Sequence, residues 1–300
     1  MRPSLFALVF LALTACATAP AAPMQPMQAA HRADWNDVAT ALGKSGAIQA
    51  GDVYKVSFPR SDLDVSVGDV HLKPALALGS WAAFIQSGSD AMTMGDLVLT
   101  ESEVNDVIST LQAGGIEQTA IHNHLIGESP HVLYMHFGGH GDAVALARTL
   151  HEALARTRTP MQASGGAQPS VDLPTADLER ILGASGKANG GVYQFAVPRA
   201  GRIVDHGMEI PASAGMATAI NFQPTGNGRA AITGDFVLIA SEVNPVIREL
   251  RAGGIDVTAL HSHMLTEEPR LFFMHFWAND DAMKLATALR TALDRMNVKH

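Results

Sequence analysis

The chain repeats itself. His122-Asn123-His124 recurs as His261-Ser262-His263, an offset of 139 residues. The same offset carries Gly95-Asp96 to Gly234-Asp235, Glu103-Val104-Asn105 to Glu242-Val243-Asn244, and Met135-His136-Phe137 to Met274-His275-Phe276. A period this long is a duplicated domain, because solenoid repeats run roughly 20–50 residues. Between Leu72 and Met94 the register slips, so one copy carries a short insertion. The expected layout is a first unit over 34–156, a Gly/Ser/Pro/Gln-rich linker over 157–172 and a second unit over 173–300. Two such units are expected to pack as a pseudo-dimer.

Within one unit the periodicity reads as α+β, a mostly antiparallel sheet with flanking helices. Trp35 to Leu42 has helical spacing. Val53–Phe58 and Val65–Leu72 read as strands, and Ser80–Gln86 with Met92–Thr100 as a hairpin. A helix follows Thr100, with Glu103 at capping-box spacing and Gly114-Gly115 as its stop. Pro245 is expected in the first turn of that helix in the second unit. Gln118–His124 and Val132–Phe137 are two further strands, and Asp142 and Asp281 are N-caps of the last helix of each unit.

Strand parity places the histidines. Residues 122 and 124 leave the same face of a strand. His136 joins them only if 122 lies opposite Tyr134 and 120 opposite His136. That register also collects Ile121, Leu133, Met135 and Phe137 on the other face as a core stripe, whereas a one-residue slip would mix the faces. His122 and His136 then lie on a diagonal of roughly 7–8 Å, which long side chains or a bulge can close. Glu128 and Glu267 trail the His-x-His pairs at matched places. Imidazole with carboxylate suits a divalent transition metal, zinc first and copper second. The candidate ligands are therefore His122, His124, Glu128 and His136, with His261, His263, Glu267 and His275 in the second unit. His140 is a further candidate, but Asn279 replaces it in the second unit, so the two halves need not do the same work.

Other residues carry a bland and a sharp reading side by side. Glu103 and Glu128 are candidate general bases on a metal-bound water, although a carboxylate at Glu103 also suits a helix start. Asp96 and Asp235 read as turn residues or as groups that orient a histidine. Arg60 and Arg199 read as surface pairing, with anion binding as the alternative. Met24 and Met27 could ligate copper, but their surroundings read as tether.

Residues 1–15 have the form of a signal peptide, with Arg2 before an apolar run from Leu5 to Leu13. Leu13-Thr14-Ala15-Cys16 has the form of a lipobox, with Cys16 as the lipidated residue and 16–33 as a flexible tether. Cys16 is the one cysteine, which excludes disulfides and thiolate clusters within the chain. The expected address is a bacterial cell envelope, lipid-anchored with the domains in the periplasm or outside the inner membrane. The expected partner is the membrane, through the anchor at Cys16. A net charge of −8 argues against nucleic acid.

Pro59-Arg60-Ser61-Asp62-Leu63, Gly79-Ser80-Trp81, Gly95-Asp96-Leu97-Val98-Leu99 and Phe273-Met274-His275-Phe276-Trp277 carry a further signal. At these motifs, over residues 35–295, the chain resembles the LppY/LpqO lipoprotein family, a tandem domain of unknown function. It implies architecture and address, and no reaction. Three functions stay open on the residues: a metal-binding lipoprotein, a metal-dependent hydrolase with a Glu base, and a metal-free pseudo-dimeric interaction module.

Overall fold

The computed structural model describes residues 33–162 and 169–299, and these form one compact unit. The expected signal peptide, Cys16, Met24 and Met27 lie outside the described residues.

The first repeat runs α1 (Trp35–Leu42), β1 (Ala47–Gln49), β2 (Val53–Pro59), β3 (Ser66–Val67), β4 (Val70–His71), α2 (Pro74–Ala77), β5 (Gly79–Ser87), β6 (Asp90–Thr100), α3 (Val104–Ala113), β7 (Glu117–His122), β8 (Glu128–Ser129), β9 (Val132–Gly141) and α4 (Ala143–Leu154). The second runs α5 (Thr175–Leu182), β10 (Gly186–Asn189), β11 (Val192–Pro198), β12 (Val204–Asp205), β13 (Met208–Glu209), a 3-10 turn at Ala212–Ala214, β14 (Ala217–Gly226), β15 (Arg229–Ile239), α6 (Ala240–Ala252), β16 (Asp256–His261), β17 (Leu271–Asp281) and α7 (Ala282–Leu293). Each repeat builds one six-stranded antiparallel sheet, ordered β1-β2-β5-β6-β9-β7 and β10-β11-β14-β15-β17-β16. The fold is α+β in two homologous units.

One face of each sheet packs under that repeat's own helices. In the first repeat Val56, Phe58, Phe84, Leu97, Met135 and Phe137 meet Val38 and Leu42 of α1, Val107 of α3 and Leu146 and Leu150 of α4. Asp142 caps α4 by accepting from Ala145 N–H at 2.8 Å, and Asp281 caps α7 by accepting from Met283 and Lys284. Gly115 follows α3 at φ 78°, the left-handed region open to glycine.

The other faces of the two sheets pack against each other. Val53, Ile85, Met92 and Met94 of the first repeat meet Val237, Leu271 and Phe273 of the second. Val98, Val132 and Tyr134 meet Val192 and Ala231 in a second cluster. Threonines stitch the two edge strands together. Thr119 Oγ1 donates to His263 O at 2.5 Å, and its repeat partner Thr258 Oγ1 donates to His124 O at 2.5 Å.

Several local expectations are corrected. Val65–Leu72 is a small hairpin, β3–β4, because Gly68 at φ 56° turns the chain. In the second repeat α6 starts at Ala240, ahead of the α3 equivalent, so Pro245 lies in its second turn. The register slip is a one-residue deletion after Arg199, reversed by a bulge between Pro224 and Gly226. Ile121 is 45% exposed and its counterpart Leu260 46% exposed, because β7 and β16 are edge strands and the helices do not cover them. Arg60 and Arg199 are not surface residues. Arg60 is fully buried, and its five guanidinium N–H groups meet Val98 O, both oxygens of Glu103 and both of Asp62. Arg199 meets Val237 O and both oxygens of Glu242.

Candidate metal centre

The β7–β9 ladder pairs His122 with Tyr134 and Ala120 with His136, the register that gathers three histidines on one face. A bulge between Gln118 and Ala120 adds local twist, and the His122 and His136 rings lie 5.1 Å apart. The second repeat matches, with His261 opposite Phe273 and Ala259 opposite His275. Because those faces are packed together, both triads converge on one buried place. His122 and His261 stack at 3.5 Å between ring centres, where the two repeats meet. Each remaining histidine meets one from the other repeat, His124 with His275 at 3.7 Å and His136 with His263 at 3.7 Å.

Two carboxylates complete the cluster. Asp96 sits opposite His136 in the β6–β9 ladder, and Asp235 opposite His275 in β15–β17. Asp96 Oδ2 lies 3.7 Å from His124 Nε2 and 4.0 Å from His136 Nε2, and Asp235 Oδ2 lies 3.3 Å from His263 Nε2. The glycine before each aspartate has a role. A Cβ at Gly95 would meet the Trp81 carbonyl oxygen and the Phe137 ring, and one at Gly234 the Ala219 carbonyl oxygen. With the side chain absent, Gly234 O accepts from His275 Nδ1 at 2.8 Å, and His136 has a backbone hydrogen bond to Gly95. A donating Nδ1–H fixes the tautomer that leaves Nε2 free to accept.

Those Nε2 atoms have no hydrogen-bond partner. The buried, unpartnered polar atoms among the described residues include Nε2 of His122, His124, His136, His261, His263 and His275, together with Oδ1 of Asp96 and Asp235. Buried polar groups are nearly always paired, so a concentration of orphans at one spot marks a place for a cation or another polar guest. Four donors, from His122, His261, His263 and His275, lie within 4.8 Å of one another, and so do three, from His122, His124 and His136. Burial holds every one of these imidazoles below the usual histidine range, His122 at about 4 and His275 at about 3. They are neutral at neutral pH, the form that ligates. Burial pushes the Asp96 carboxyl up to about 7, against the pull of Lys55, and raises Asp235 as well, with Asp96 adding to that rise.

The halves differ around this symmetric centre. Tyr134 stacks on His124 at 3.3 Å with its hydroxyl buried and unpartnered, whereas Phe273 stacks on His263 at 3.4 Å. Lys55, over the Trp81 ring at 3.9 Å, is replaced by Gln194.

The glutamates are placed elsewhere. Glu267 is buried within its own loop, accepting from Leu271 N–H at 2.9 Å and pairing with Arg270 at 3.2 Å. Glu128 is buried beside β3 with His131 Nε2 at 3.6 Å, and burial raises its carboxyl. Neither belongs to the two donor sets. Glu103 is taken up by Arg60, Thr100 N–H and Arg158 N–H, so it closes the start of α3 instead of facing the histidines as a base. His140 stands apart as well, with its ring 4.9 Å from His206. Asp96 and Asp235 are the carboxylates at the centre. Their signal in the sequence is the repeated Gly-Asp pair, and the missing information was which strand lies beside β9.

A search of curated proteins finds no match. Among solved structures, a trimeric bacterial microcompartment shell protein, PduB, aligns at 12% identity over 84% of this chain and 89% of that chain, with a TM-score of 0.21. That likeness is too slight to bear on fold or function. No helix among the described residues is long and apolar enough to cross a membrane. A family model matches residues 36–156 and again residues 176–295, once for each repeat and each time across both the His-x-His pair and the Met-His-Phe strand. The chain belongs to the family described as Domain of Unknown Function (DUF1259).

Proposed function

We propose that the protein is a cell-envelope lipoprotein that binds a divalent transition metal, zinc first and copper second, where its two repeats meet. The observation that carries this reading is the gathering of six buried imidazole Nε2 atoms without hydrogen-bond partners, with one unpartnered oxygen of each of Asp96 and Asp235 beside them. Neutral imidazole with carboxylate is a donor set for zinc, copper, nickel or iron. A bound cation would satisfy the orphaned nitrogens and offset two buried acids. It would also tie the repeats together, since His122 joins three donors of the second repeat in one set. The metal-free interaction module is less favoured, because a purely structural contact would pair its nitrogens.

Elemental analysis of the purified protein tests the metal. At least one equivalent is expected, falling below about a tenth of that in His122→Ala with His261→Ala, because loss of ligands from both sets leaves too few donors. Unchanged content in the double variant would sink the reading.

The address rests on Arg2, the apolar run to Leu13 and the Leu13-Thr14-Ala15-Cys16 box. The finer likeness to the LppY/LpqO lipoproteins belongs to the same reading. Cys16→Ser is expected to move the protein from the membrane pellet to the soluble fraction and to end incorporation of labelled fatty acid. A variant that still takes up label refutes the anchor at Cys16.

A further inference from the structure

The interface between the sheets has two apolar ends, one on either side of the imidazoles. Along one face of β6 the order is Met92, Met94, Asp96, Val98, and along the paired face of β9 it is His140, Gly138, His136, Tyr134. The end beyond Asp96 toward Met92 contains Met92, Met94, Met216 and Met264, with Met208 packed at its margin. The opposite end is built from the equivalent positions of the other repeat and contains no methionine among the described residues. Leu125 stands where the first end has Met264, Leu78 where it has Met216, Val70 where it has Met208, and Ala231 where it has Met92.

Leu and Met exchange at little cost in a core, and Leu78 and Leu125 hold the places of Met216 and Met264, so at those two positions the architecture closes without thioethers. A second feature marks the same end. His140 lies opposite Met92 in the ladder, and its ring sits 4.9 Å from that of His206, edge to face. His206 lies in the β12–β13 turn, two residues before Met208, at φ 48°, a backbone region that a non-glycine residue rarely occupies. Asp205 Oδ2 is 4.0 Å from His206 Nε2, and Thr266 Oγ1 is 3.4 Å from it. At the other end the corresponding residues are Asn279 and Gly68. The histidine pair and the methionines therefore occur together at one end and are absent together at the other.

We propose that this end is a binding site for soft, monovalent copper, with His140 and His206 at its solvent side and the thioethers behind them. Thioether with imidazole is a donor set that selects Cu(I) over harder divalent ions. Methionine side chains are also adaptable enough to turn their sulfurs inward without a preformed cavity. The site is separate from the histidine centre and does not depend on metal there.

The test uses the full chain with its methionine methyls isotopically labelled. Ag(I) is added as a redox-inert probe, and Cu(I) is added without oxygen in competition with a chromogenic chelator. One equivalent of Ag(I) is expected to shift the methyls of Met92, Met94, Met208, Met216 and Met264 before any others. His140→Asn with His206→Gly, and separately Met94→Leu with Met216→Leu and Met264→Leu, are each expected to weaken Cu(I) at least about tenfold. Those replacements take the residues of the opposite end or a near-isostere, so folding should survive. Protein first saturated with Zn(II), or carrying His122→Ala and His261→Ala, should keep the Cu(I) affinity. Unmoved methyls, an affinity indifferent to both variants, or Cu(I) binding lost once Zn(II) fills the imidazoles each overturns the proposal. In the first two cases the methionines are core packing. The zinc arm reads the central centre separately, so either site can fail alone.

Discussion

Arg60→Met is expected to destabilise the protein by about 3–5 kcal/mol, because it leaves the buried Glu103 carboxylate without its cation. For a chain of this size that is a fall in melting temperature of roughly 10 °C. The arginine is fully buried, and all five of its N–H groups are used, across β6, α3 and the loop after β2. Glu103 also accepts from Thr100 and Arg158 backbone N–H groups, so the lost pair loosens the helix start and the segment after α4 together. Arg199→Met should cost less, because Arg199 serves one carboxylate and has no counterpart of Asp62. The check is urea unfolding of both variants and of Arg60→Met with Glu103→Leu. That double change removes charge and counter-charge and should recover much of the loss. Equal stability of Arg60→Met and the parent would show that the pair is not the clamp the contacts describe.

Acid is the second large lever. In metal-free protein the melting temperature is expected to fall steadily as pH drops from 6.5 toward 4. Unfolded imidazole takes a proton near 6.5, whereas the folded centre resists, His122 down to about 4 and His275 to about 3. The unfolded chain therefore binds more protons through this window, so the imidazole contribution is complete above 6.5 and is lost as pH falls. Asp96 and Asp235 act in the opposite sense. Their raised carboxyls favour the fold at low pH, and that contribution is lost as pH rises through about 7 for Asp96. Six imidazoles outnumber two carboxyls, so the net slope follows the histidines. Each proton of imbalance is worth about 1.4 kcal/mol per pH unit. Thermal unfolding of chelator-treated protein between pH 7.5 and 5 reads this directly. His124→Asn with His263→Asn should flatten the profile, and a parent profile already flat would contradict the buried, neutral imidazoles.

Strand parity was enough to derive the β7–β9 register, because only one register keeps histidines on one face and Met135 and Phe137 on the other. Exposure of Ile121 escaped the same logic, since alternation tells which residues share a face but not whether a helix covers that stretch. The glutamates misled for a related reason. Glu128 and Glu267 follow the His-x-His pairs at constant spacing, but that spacing crosses a loop, and the loop turns Glu267 back onto its own Arg270 and Leu271. Arg60 and Glu103 lie 43 residues apart, and neither carries a local mark of burial.

The duplication, the α+β class of each unit and the histidine face follow from the sequence, because offsets and strand periodicity are local properties of the chain. Tertiary structure decided that the two faces are packed on each other. That packing joins the two triads in one buried cluster, with His122 in a donor set of its own repeat and in one with three histidines of the other, and it brings Asp96 and Asp235 beside the imidazoles from strands that only the sheet order places there. It also splits the interface into a methionine end and a leucine end, a difference that appears only when residues from both repeats are seen side by side.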